Sequence, residues 1–232
     1  MKNILIGLIG LVVLGATSCT KQDWIDTGTP LRYHDCSMMT YLRGDTYNWE
    51  LTVALIERAG LVNLFEGNDP GYRGITFFAP PSYAVLRYVW DKASRKMDYP
   101  NDNTMWRTLT EEEREHPERL VQELDIQWCR EMVLRHVVKG KIMKSDIGYR
   151  DIEYPIYDAL QAGGTDIITE GGSRLRAYRD KSDYQSVLGA GAETMYIYSF
   201  TRLTQVPLAS PDIQTNNGVV HALNYNYLLG EI

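Results

Sequence analysis

The sequence has few of the features that mark disulfide-rich, disordered or nucleic-acid-binding proteins. It contains only three cysteines in 232 residues, too few for a scaffold held together by disulfides. Positive charge is not in excess: the net charge is −6, so no nucleic-acid partner is expected. Hydrophobic residues make up 44% and charged residues 23%. These fractions exclude a disordered chain and predict a folded domain with a real core.

The chain also lacks the common catalytic motifs and any apolar run of the length that a membrane-spanning helix needs. No metal-binding spacing joins the four histidines, which are His34, His116, His136 and His221. The carboxylates of residues 111–115 are typical of the acidic first turn of a helix that Thr110 caps. We therefore expect no enzymatic activity, no metal and no cofactor. A glycosidase remains an alternative, because its two carboxylates need not be close in sequence.

Residues 1–18 have the organisation of a secretory signal peptide. Lys2 precedes an apolar run from Ile4 to Leu14, and small residues then lead to Cys19. The sequence G-A-T-S-C that ends at Cys19 resembles the lipobox of bacterial lipoproteins. The resemblance implies cleavage before Cys19 and attachment of lipid to its thiol. A secreted protein in which Cys19 has no special role is the alternative.

Residues 19–45 show no sustained hydrophobic period, and we predict a lipidated tether and lead-in there. The lipid at Cys19 would hold the protein in the bacterial cell envelope, where we expect the outer membrane; exposure on the cell surface is left open. For the two other thiols, Cys36 and Cys129, we expect free cysteines rather than a disulfide.

The remaining residues, 46–232, change from helical to strand-like periodicity along the chain. Helices are predicted at 47–59, from Ser82 onward, and at 126–138, with a buried strand from Ile75 to Ala79. After residue 141, short alternating runs separated by glycine pairs predict an antiparallel sheet. The predicted strands lie at residues 166–169, 175–178, 195–200, 219–223 and 228–229.

Three segments, in the same order along the chain, resemble the motifs of the fasciclin domain family. The first is an apolar helix-like segment followed by I-T-F-F-A-P, in which the matching residues are Thr76, Phe77, Phe78, Ala79 and Pro80. The second is V-L-R-H-V-V-K-G, with His136 in register and Arg135 in place of the usual tyrosine. The third is N-G-V-V-H-A-L, in which the matching residues are Asn217, Gly218, Val219, Val220, His221 and Leu223.

This resemblance covers residues 46–232 and implies one α+β domain, a wedge or sandwich of β-strands that carries a cluster of helices. Residues 91–125 are predicted to be an insertion relative to a compact fasciclin domain. The motif residues are expected to be structural. His136 and His221 should be hydrogen-bonded core histidines. Gly218, which follows Asn217, is predicted to adopt a positive φ in a tight turn.

Fasciclin domains are mainly extracellular adhesion and binding modules. The resemblance therefore implies a membrane-anchored, extracytoplasmic binding or adhesion lipoprotein without catalysis, whose partner is an extracellular protein or a polysaccharide. The second hypothesis is a carbohydrate-capturing accessory lipoprotein of a polysaccharide-uptake system, because 16 tyrosines and five tryptophans offer stacking surfaces for sugar rings. A polysaccharide-processing enzyme is the third hypothesis.

Two short motifs are candidate adhesion sites. Arg43-Gly44-Asp45 spells the integrin-binding tripeptide, although such a triplet also arises by chance. Pro211-Asp212-Ile213 resembles the Asp-Ile segments of some animal fasciclin proteins, but Ser210 and Gln214 depart from the fuller pattern. The alternative is that Ile213 packs in the core and Asp212, exposed in a loop, caps a turn.

Overall fold

The computed structural model of the protein describes residues 32–92 and 110–232. Helices occupy most of the first half of this region, and strands occupy the second. The helices are α1 (Met38–Arg43), α2 (Thr46–Arg58), α3 (Val62–Glu66), α4 (Ser82–Lys92), α5 (Glu111–Glu115), α6 (Glu118–Gln122) and α7 (Ile126–Leu134). The strands are β1 (Ile75–Ala79), β2 (Val137–Lys139), β3 (Thr165–Ile168), β4 (Arg174–Lys181), β5 (Glu193–Ser199), β6 (Thr204–Thr215) and β7 (Gly218–Leu223).

The described strands form one mixed sheet in the order β2-β1-β7-β6-β5-β4-β3. Strands β1 and β7 run parallel, in a register that pairs Ile75 with Gly218 and Ala79 with Ala222. The other neighbouring strands are antiparallel. Two sequence motifs from opposite ends of the domain therefore lie side by side, and the predicted α+β class is confirmed.

The core lies around β1 and β7, in which every residue is buried. Burial along a whole strand requires cover on both faces of the sheet. The helices contribute to this cover, since α1 contacts β7, α7 contacts β2, and buried residues of the helices and strands form one cluster. Helix α2 packs against α1, α4, α6 and α7. The largest fully buried aromatic side chains are Phe65, Phe77, Phe78 and Tyr227.

Local capping explains where the helices begin and end. The Asp45 carboxylate accepts the Asn48 N–H and starts α2, and Gly60, with φ +67°, follows its end. The predicted helix at 47–59 is thus confirmed within one or two residues. Thr110 and Glu113 form the predicted capping box at the start of α5.

The structure corrects the predicted helix at 126–138. Helix α7 ends at Leu134, and Val137–Lys139 pairs with β1 as strand β2. An apolar, β-branched pair such as Val137-Val138 fits the hydrophobic pattern of a helix and also that of a strand. The neighbouring strand with which it pairs determines which of the two forms. The predicted strand at 228–229 is also wrong, because these residues lie in turns.

The longest strand, β6, has no counterpart among the predicted strands. It contains Pro207 and Pro211, and proline normally argues against a strand because it cannot donate to the ladder. Here the pairing of β6 with β7 is interrupted by register shifts between Leu208 and Ile213. These irregularities accommodate Pro211 within the strand.

The predicted lead-in at 19–45 is also corrected, because its last part belongs to the folded domain. Helix α1 buries Met38, Met39 and Leu42 completely, and Tyr33 pairs with Gln214 as an isolated bridge. A helix of six residues is too short to show a clear hydrophobic period. The signal segment, Cys19 and the first part of the lead-in lie outside the described residues.

The predicted insertion at 91–125 lies partly outside the described residues, from 93 to 109. Within the described part, α5 and α6 follow Thr110, and α6 packs against α2 with Val121 buried. Across the parts of the chain that the structure describes, no helix is long and apolar enough to cross a membrane.

Candidate functional site

The residues of the first motif hold the centre of the sheet. Thr76 Oγ1 donates to the Gly140 carbonyl and accepts the Ile142 N–H, both at 2.8 Å. Phe77 meets Phe65 edge to face with ring centroids 4.8 Å apart. Ala79 is fully buried, and the Pro80 carbonyl accepts the Thr52 hydroxyl at 2.6 Å.

His136 is buried between α7 and the segment that follows β7. A carbonyl oxygen can only accept, so Nδ1 carries the proton and donates to the Met132 carbonyl at 2.8 Å. In this neutral tautomer Nε2 has no proton, and it accepts the Tyr227 hydroxyl at 2.8 Å. Burial lowers the pKa of His136 to about 4. The ring is therefore neutral at pH 7, and both of its nitrogens are used within the core.

His221 is also fully buried, and it is stacked on Phe78 with ring centroids 5.5 Å apart. Its Nδ1 accepts the Asp212 N–H at 3.1 Å, and its Nε2 donates to the Ile142 carbonyl at 2.8 Å. Burial lowers the pKa of His221 as well. The ring thus joins the irregular part of β6 to the segment after β2.

Asn217 and Gly218 fix the helices to the sheet. Asn217 Oδ1 accepts the Met38 N–H at 2.8 Å, and its Nδ2 donates to the Phe65 carbonyl at 2.9 Å. The predicted positive φ at Gly218 is wrong, since Gly218 is not among the residues with positive φ. The need for glycine there is steric: a Cβ would lie 2.3 Å from the Ile75 carbonyl oxygen and 2.5 Å from Met38 Cε.

The Arg43-Gly44-Asp45 triplet forms the junction between α1 and α2. Arg43 forms ion pairs with Glu57 at 2.8 Å and with Glu66 at 3.3 Å. Gly44 ends α1, and Asp45 caps α2. The triplet therefore forms a helix junction in which both charged side chains have structural partners.

The Pro211-Asp212-Ile213 segment lies within β6 and not in the exposed loop that we expected. Asp212 is half-buried at the irregular part of the strand, with φ 64°, and its carboxylate accepts the Lys144 N–H at 2.6 Å. Pro211 is half-buried, and Ile213 packs against the core. The prediction of an exposed Asp212 is therefore wrong, because its backbone and side chain both tie β6 to neighbouring segments.

We expect Asp212→Ala to destabilise the domain by about 2 kcal/mol, more than a surface change would. The variant leaves the Lys144 N–H without its acceptor, and it places alanine in the left-handed region, which costs roughly 1–2 kcal/mol. Asp212→Gly loses the same carboxylate but adopts this φ freely, so it should be more stable than Asp212→Ala by about 1 kcal/mol. Urea unfolding of both variants measures the difference. Wild-type stability of Asp212→Ala would contradict this account.

An open cleft lies where the start of α2, the start of α4 and the segment after β7 meet. It has a volume of about 610 Å³, within the range of small-ligand sites. Its lining residues are Thr46, Tyr47, Asn48, Glu50, Leu51, Pro81, Ser82, Tyr83, Leu86, Pro117 and Tyr225. The sequence offered no signal for this cleft, because its tyrosines come from three distant segments.

Two of these tyrosines form a stacked pair. The rings of Tyr83 and Tyr225 lie 4.7 Å apart and are nearly parallel, at 9°. Arg87 is buried behind them, with its guanidinium 4.8 Å from the Tyr83 ring centroid and hydrogen bonds to the carbonyls of Tyr225 and Tyr227 at 2.7 and 2.6 Å. The third tyrosine, Tyr47, is 83% exposed. The cleft thus combines a braced aromatic pair with a freely accessible ring.

The cleft contains one titratable carboxylate among its described lining residues, Glu50. Burial and the nearby charge of Glu118 raise the pKa of Glu50. The Ser82 hydroxyl accepts the Leu51 N–H at 3.1 Å. The described lining offers aromatic faces and hydroxyl groups, which suits binding by stacking and hydrogen bonding.

No group of potential metal ligands is present among the described residues. Cys36 and Cys129 are free thiols, as predicted. Burial raises the pKa of both thiols, that of Cys129 to about 11. Raised pKa values keep these thiols protonated and therefore poor nucleophiles.

Together, the fold and the site define an α+β domain whose motif residues stabilise a mixed sheet and whose surface carries an open aromatic cleft. The chain belongs to the fasciclin domain family, because the family model for the fasciclin domain matches residues 48–226. Membership of this family indicates an extracellular function of the adhesion or binding type.

Comparison with solved structures found the FAS1 domain pair from the insect cell adhesion molecule fasciclin I. The match has a TM-score of 0.43 and 11% sequence identity, and it covers 78% of this chain and 44% of that one. The present chain thus spans less than half the length of that domain pair. No curated protein sequence is similar enough to the chain to be matched.

Proposed function

We propose that the protein is a membrane-anchored, extracytoplasmic binding or adhesion lipoprotein of the bacterial cell envelope, held at the outer membrane, and that it catalyses no reaction. Its family supports the general class of adhesion and binding. The lipobox-like sequence at Cys19 supports the anchor. The observation that carries the proposal is the open cleft, which presents tyrosine rings and hydroxyl groups to a ligand outside the cell.

The partner is an extracellular protein or a polysaccharide. A specific observation favours the second candidate function, capture of carbohydrate for a polysaccharide-uptake system. The Tyr83–Tyr225 pair and the exposed Tyr47 ring line one cleft, and aromatic faces pack well against the apolar face of a sugar ring. Buried Arg87 holds the carbonyls of Tyr225 and Tyr227, so part of this platform is fixed before the ligand arrives.

The third hypothesis, a polysaccharide-processing enzyme, needs two carboxylates on opposite sides of a glycosidic bond. Glu50 is the one carboxylate among the described residues that line the cleft. Glu118, which raises its pKa, lies with Glu50 and Glu57 in a neighbouring cavity of about 210 Å³ instead. A single carboxylate beside stacked tyrosines is better suited to accept hydrogen bonds from sugar hydroxyls. These observations support binding over hydrolysis.

We expect the double variant Tyr47→Ala/Tyr225→Ala to bind its ligand about tenfold more weakly, since each of the two lost aromatic contacts costs about 0.7 kcal/mol. The measurement is binding of the purified protein to a panel of neutral polysaccharides and extracellular matrix proteins. Tyr184→Ala is the matched control, because Tyr184 is exposed but lies outside the cleft. Equal losses in the control and in the cleft variant would contradict the proposed site.

We expect Cys19→Ala to abolish lipid attachment and to release the protein from the membrane fraction. The thiol of Cys19 is the proposed acceptor, and without the acyl chains nothing holds the domain at the bilayer. Labelling with a fatty acid, followed by fractionation, measures both effects. Cys36→Ala is the control and should remain labelled. Incorporation of label into the Cys19→Ala variant would refute the lipoprotein proposal.

A further inference from the structure

A second concave surface of the domain is lined by two arginines. Arg135 lies just after α7, and Arg202 lies in the turn between β5 and β6; both border two cavities of about 440 and 130 Å³. Neither cavity shares a described lining residue with the tyrosine cleft. We refer to these two cavities with their shared arginines as the arginine site.

The guanidinium groups of Arg135 and Arg202 make no ion pair or hydrogen bond with any residue in the ranges 32–92 and 110–232. Other arginines of the domain do pair with carboxylates, as Arg150 does with Asp180 at 2.8 Å. Two guanidinium groups that border the same cavities and have no partner among the described residues leave positive charge there, which an anion can neutralise. Guanidinium is also the group best suited to bind carboxylate through two parallel hydrogen bonds.

Packing holds the backbone of Arg135 in place. The turn between β3 and β4 lies against it so closely that a Cβ on Gly171 would be 2.6 Å from the Arg135 nitrogen and 2.9 Å from its Cγ. The Gly171 N–H also donates to the Leu134 carbonyl at 2.9 Å. Arg135 is thus half-buried, and its backbone and Cγ are held in place before any ligand binds.

The larger cavity adds an aromatic pair to these charges. Tyr88 and Trp128 stack with ring centroids 4.4 Å apart and an angle of 16°, and both line this cavity. Its described lining contains one carboxylate, Glu231, which accepts the Leu228 N–H at 2.9 Å. The smaller cavity has no acidic side chain among its described lining residues. An anionic group therefore fits on the side away from Glu231, and a ring fits beside Trp128.

We propose that the arginine site binds an acidic sugar, a uronate unit of a polysaccharide. Its carboxylate would lie between Arg135 and Arg202, and its ring would pack against the Tyr88–Trp128 pair. Glu231 and Thr204 would accept hydrogen bonds from its hydroxyl groups. This inference rests on one part of the proposed function, namely that the protein is exposed to polysaccharides outside the cell. It adds a ligand class and a second site that is independent of the tyrosine cleft.

The test is titration calorimetry of the full-length protein in detergent micelles with oligogalacturonate and with its methyl ester of the same length. The ester keeps the sugar and removes the charge. The acid should bind, and the ester should bind at least about tenfold more weakly. Equal binding of the ester, or no binding of the acid, would overturn the proposal. Tighter binding of a sulfated oligosaccharide would overturn the assignment to a carboxylate.

The double variant Arg135→Gln/Arg202→Gln should lose at least about tenfold in affinity for the acid. The control Arg73→Gln/Arg119→Gln removes the same charge from two exposed positions elsewhere on the surface and should bind as wild type does. Equal loss in the control would show a non-specific charge effect and overturn the site. If the double variant fails to fold, Arg202→Gln alone gives the same test, since this residue is exposed in a turn.

Two further measurements separate the arginine site from the tyrosine cleft and from the membrane. Tyr47→Ala/Tyr225→Ala should bind oligogalacturonate as wild type does, even if the cleft proves to have no ligand. A loss of acid binding in that variant would overturn the independence of the two sites. Vesicles that contain anionic lipid should bind wild type and the arginine double variant equally; weaker binding by the double variant would assign the arginines to lipid instead.

Discussion

Replacing Gly218 by valine should destabilise the domain by about 3 kcal/mol or more. A Cβ at this position would lie 2.3 Å from the Ile75 carbonyl oxygen, in the parallel pairing of β1 with β7, and 2.5 Å from Met38 Cε. The methionine side chain can move, but the backbone carbonyl cannot move without shifting the strand. Overpacking of a rigid core costs about 1–3 kcal/mol and sometimes more, and valine adds two methyl groups to the clash. Thermal and urea unfolding measure the loss.

A matched glycine variant separates steric clash from backbone conformation. Gly60 has φ +67° but nothing within 4 Å of the position of its Cβ. Gly60→Ala should therefore cost only the conformational term, roughly 1 kcal/mol. Gly218→Ala introduces the steric clash without any strain in φ, and it should lower the free energy of unfolding more than Gly60→Ala does. The reverse order would contradict the close approach of β7 to β1.

Acid should destabilise the domain by about 3 kcal/mol through His136 alone. The pKa of His136 is about 4 in the folded state, against 6.5 for an unperturbed histidine. Above pH 6.5 neither state binds the proton, so stability is complete. As the pH falls below 6.5 the unfolded state gains a proton that the folded state does not, and each pH unit costs up to about 1.4 kcal/mol until the pH nears 4. His221, whose pKa is also lowered, acts in the same direction.

Urea unfolding at several pH values between 7 and 5.5 measures this slope largely above the range in which carboxylates titrate. His136→Gln should be less stable than wild type at pH 7, because the pairing with Tyr227 is disturbed, but its stability should fall less steeply with acid. His116→Gln is the control, since His116 lies on the exposed surface. An unchanged slope in His136→Gln would show that burial of this ring does not govern the acid response.

Local patterns were sufficient to predict several elements of the fold. The aromatic and β-branched run Ile75 to Ala79 predicts β1, and the period of residues 47–59 predicts α2. The capping box at Thr110 is a purely local device and is confirmed. In each case neighbouring residues alone determine the element.

Elements that depend on distant partners could not be predicted in this way. Residues 137–139 form a strand because β1 is available to pair with them. Pro211 is tolerated within β6 because the pairing of that strand with β7 is irregular there. The parallel pairing of β1 with β7 joins residues that are more than a hundred positions apart, and short-range periodicity carries no information about it.

The candidate sites show the same limit. His136 and His221 were expected in the core from their apolar neighbours, but their partners Tyr227 and Asp212 are evident only in the structure. The Asn217-Gly218 pair predicts a turn with positive φ, whereas the structure explains the glycine by the clash that a Cβ would make with Ile75 and Met38. The tyrosine cleft combines Tyr47, which precedes β1 in the chain, with Tyr225, which follows β7. No sequence motif marks such a surface.

The most direct test of the account is whether the protein binds a ligand through the tyrosine cleft and releases it unchanged. The measurement incubates the purified full-length protein with the panel of polysaccharides and matrix proteins and quantifies both bound ligand and reaction products. The account predicts binding that Tyr47→Ala/Tyr225→Ala weakens about tenfold, with every ligand recovered intact. Sustained product formation that is lost in Glu50→Gln, or binding that the cleft variant leaves unchanged, would contradict it.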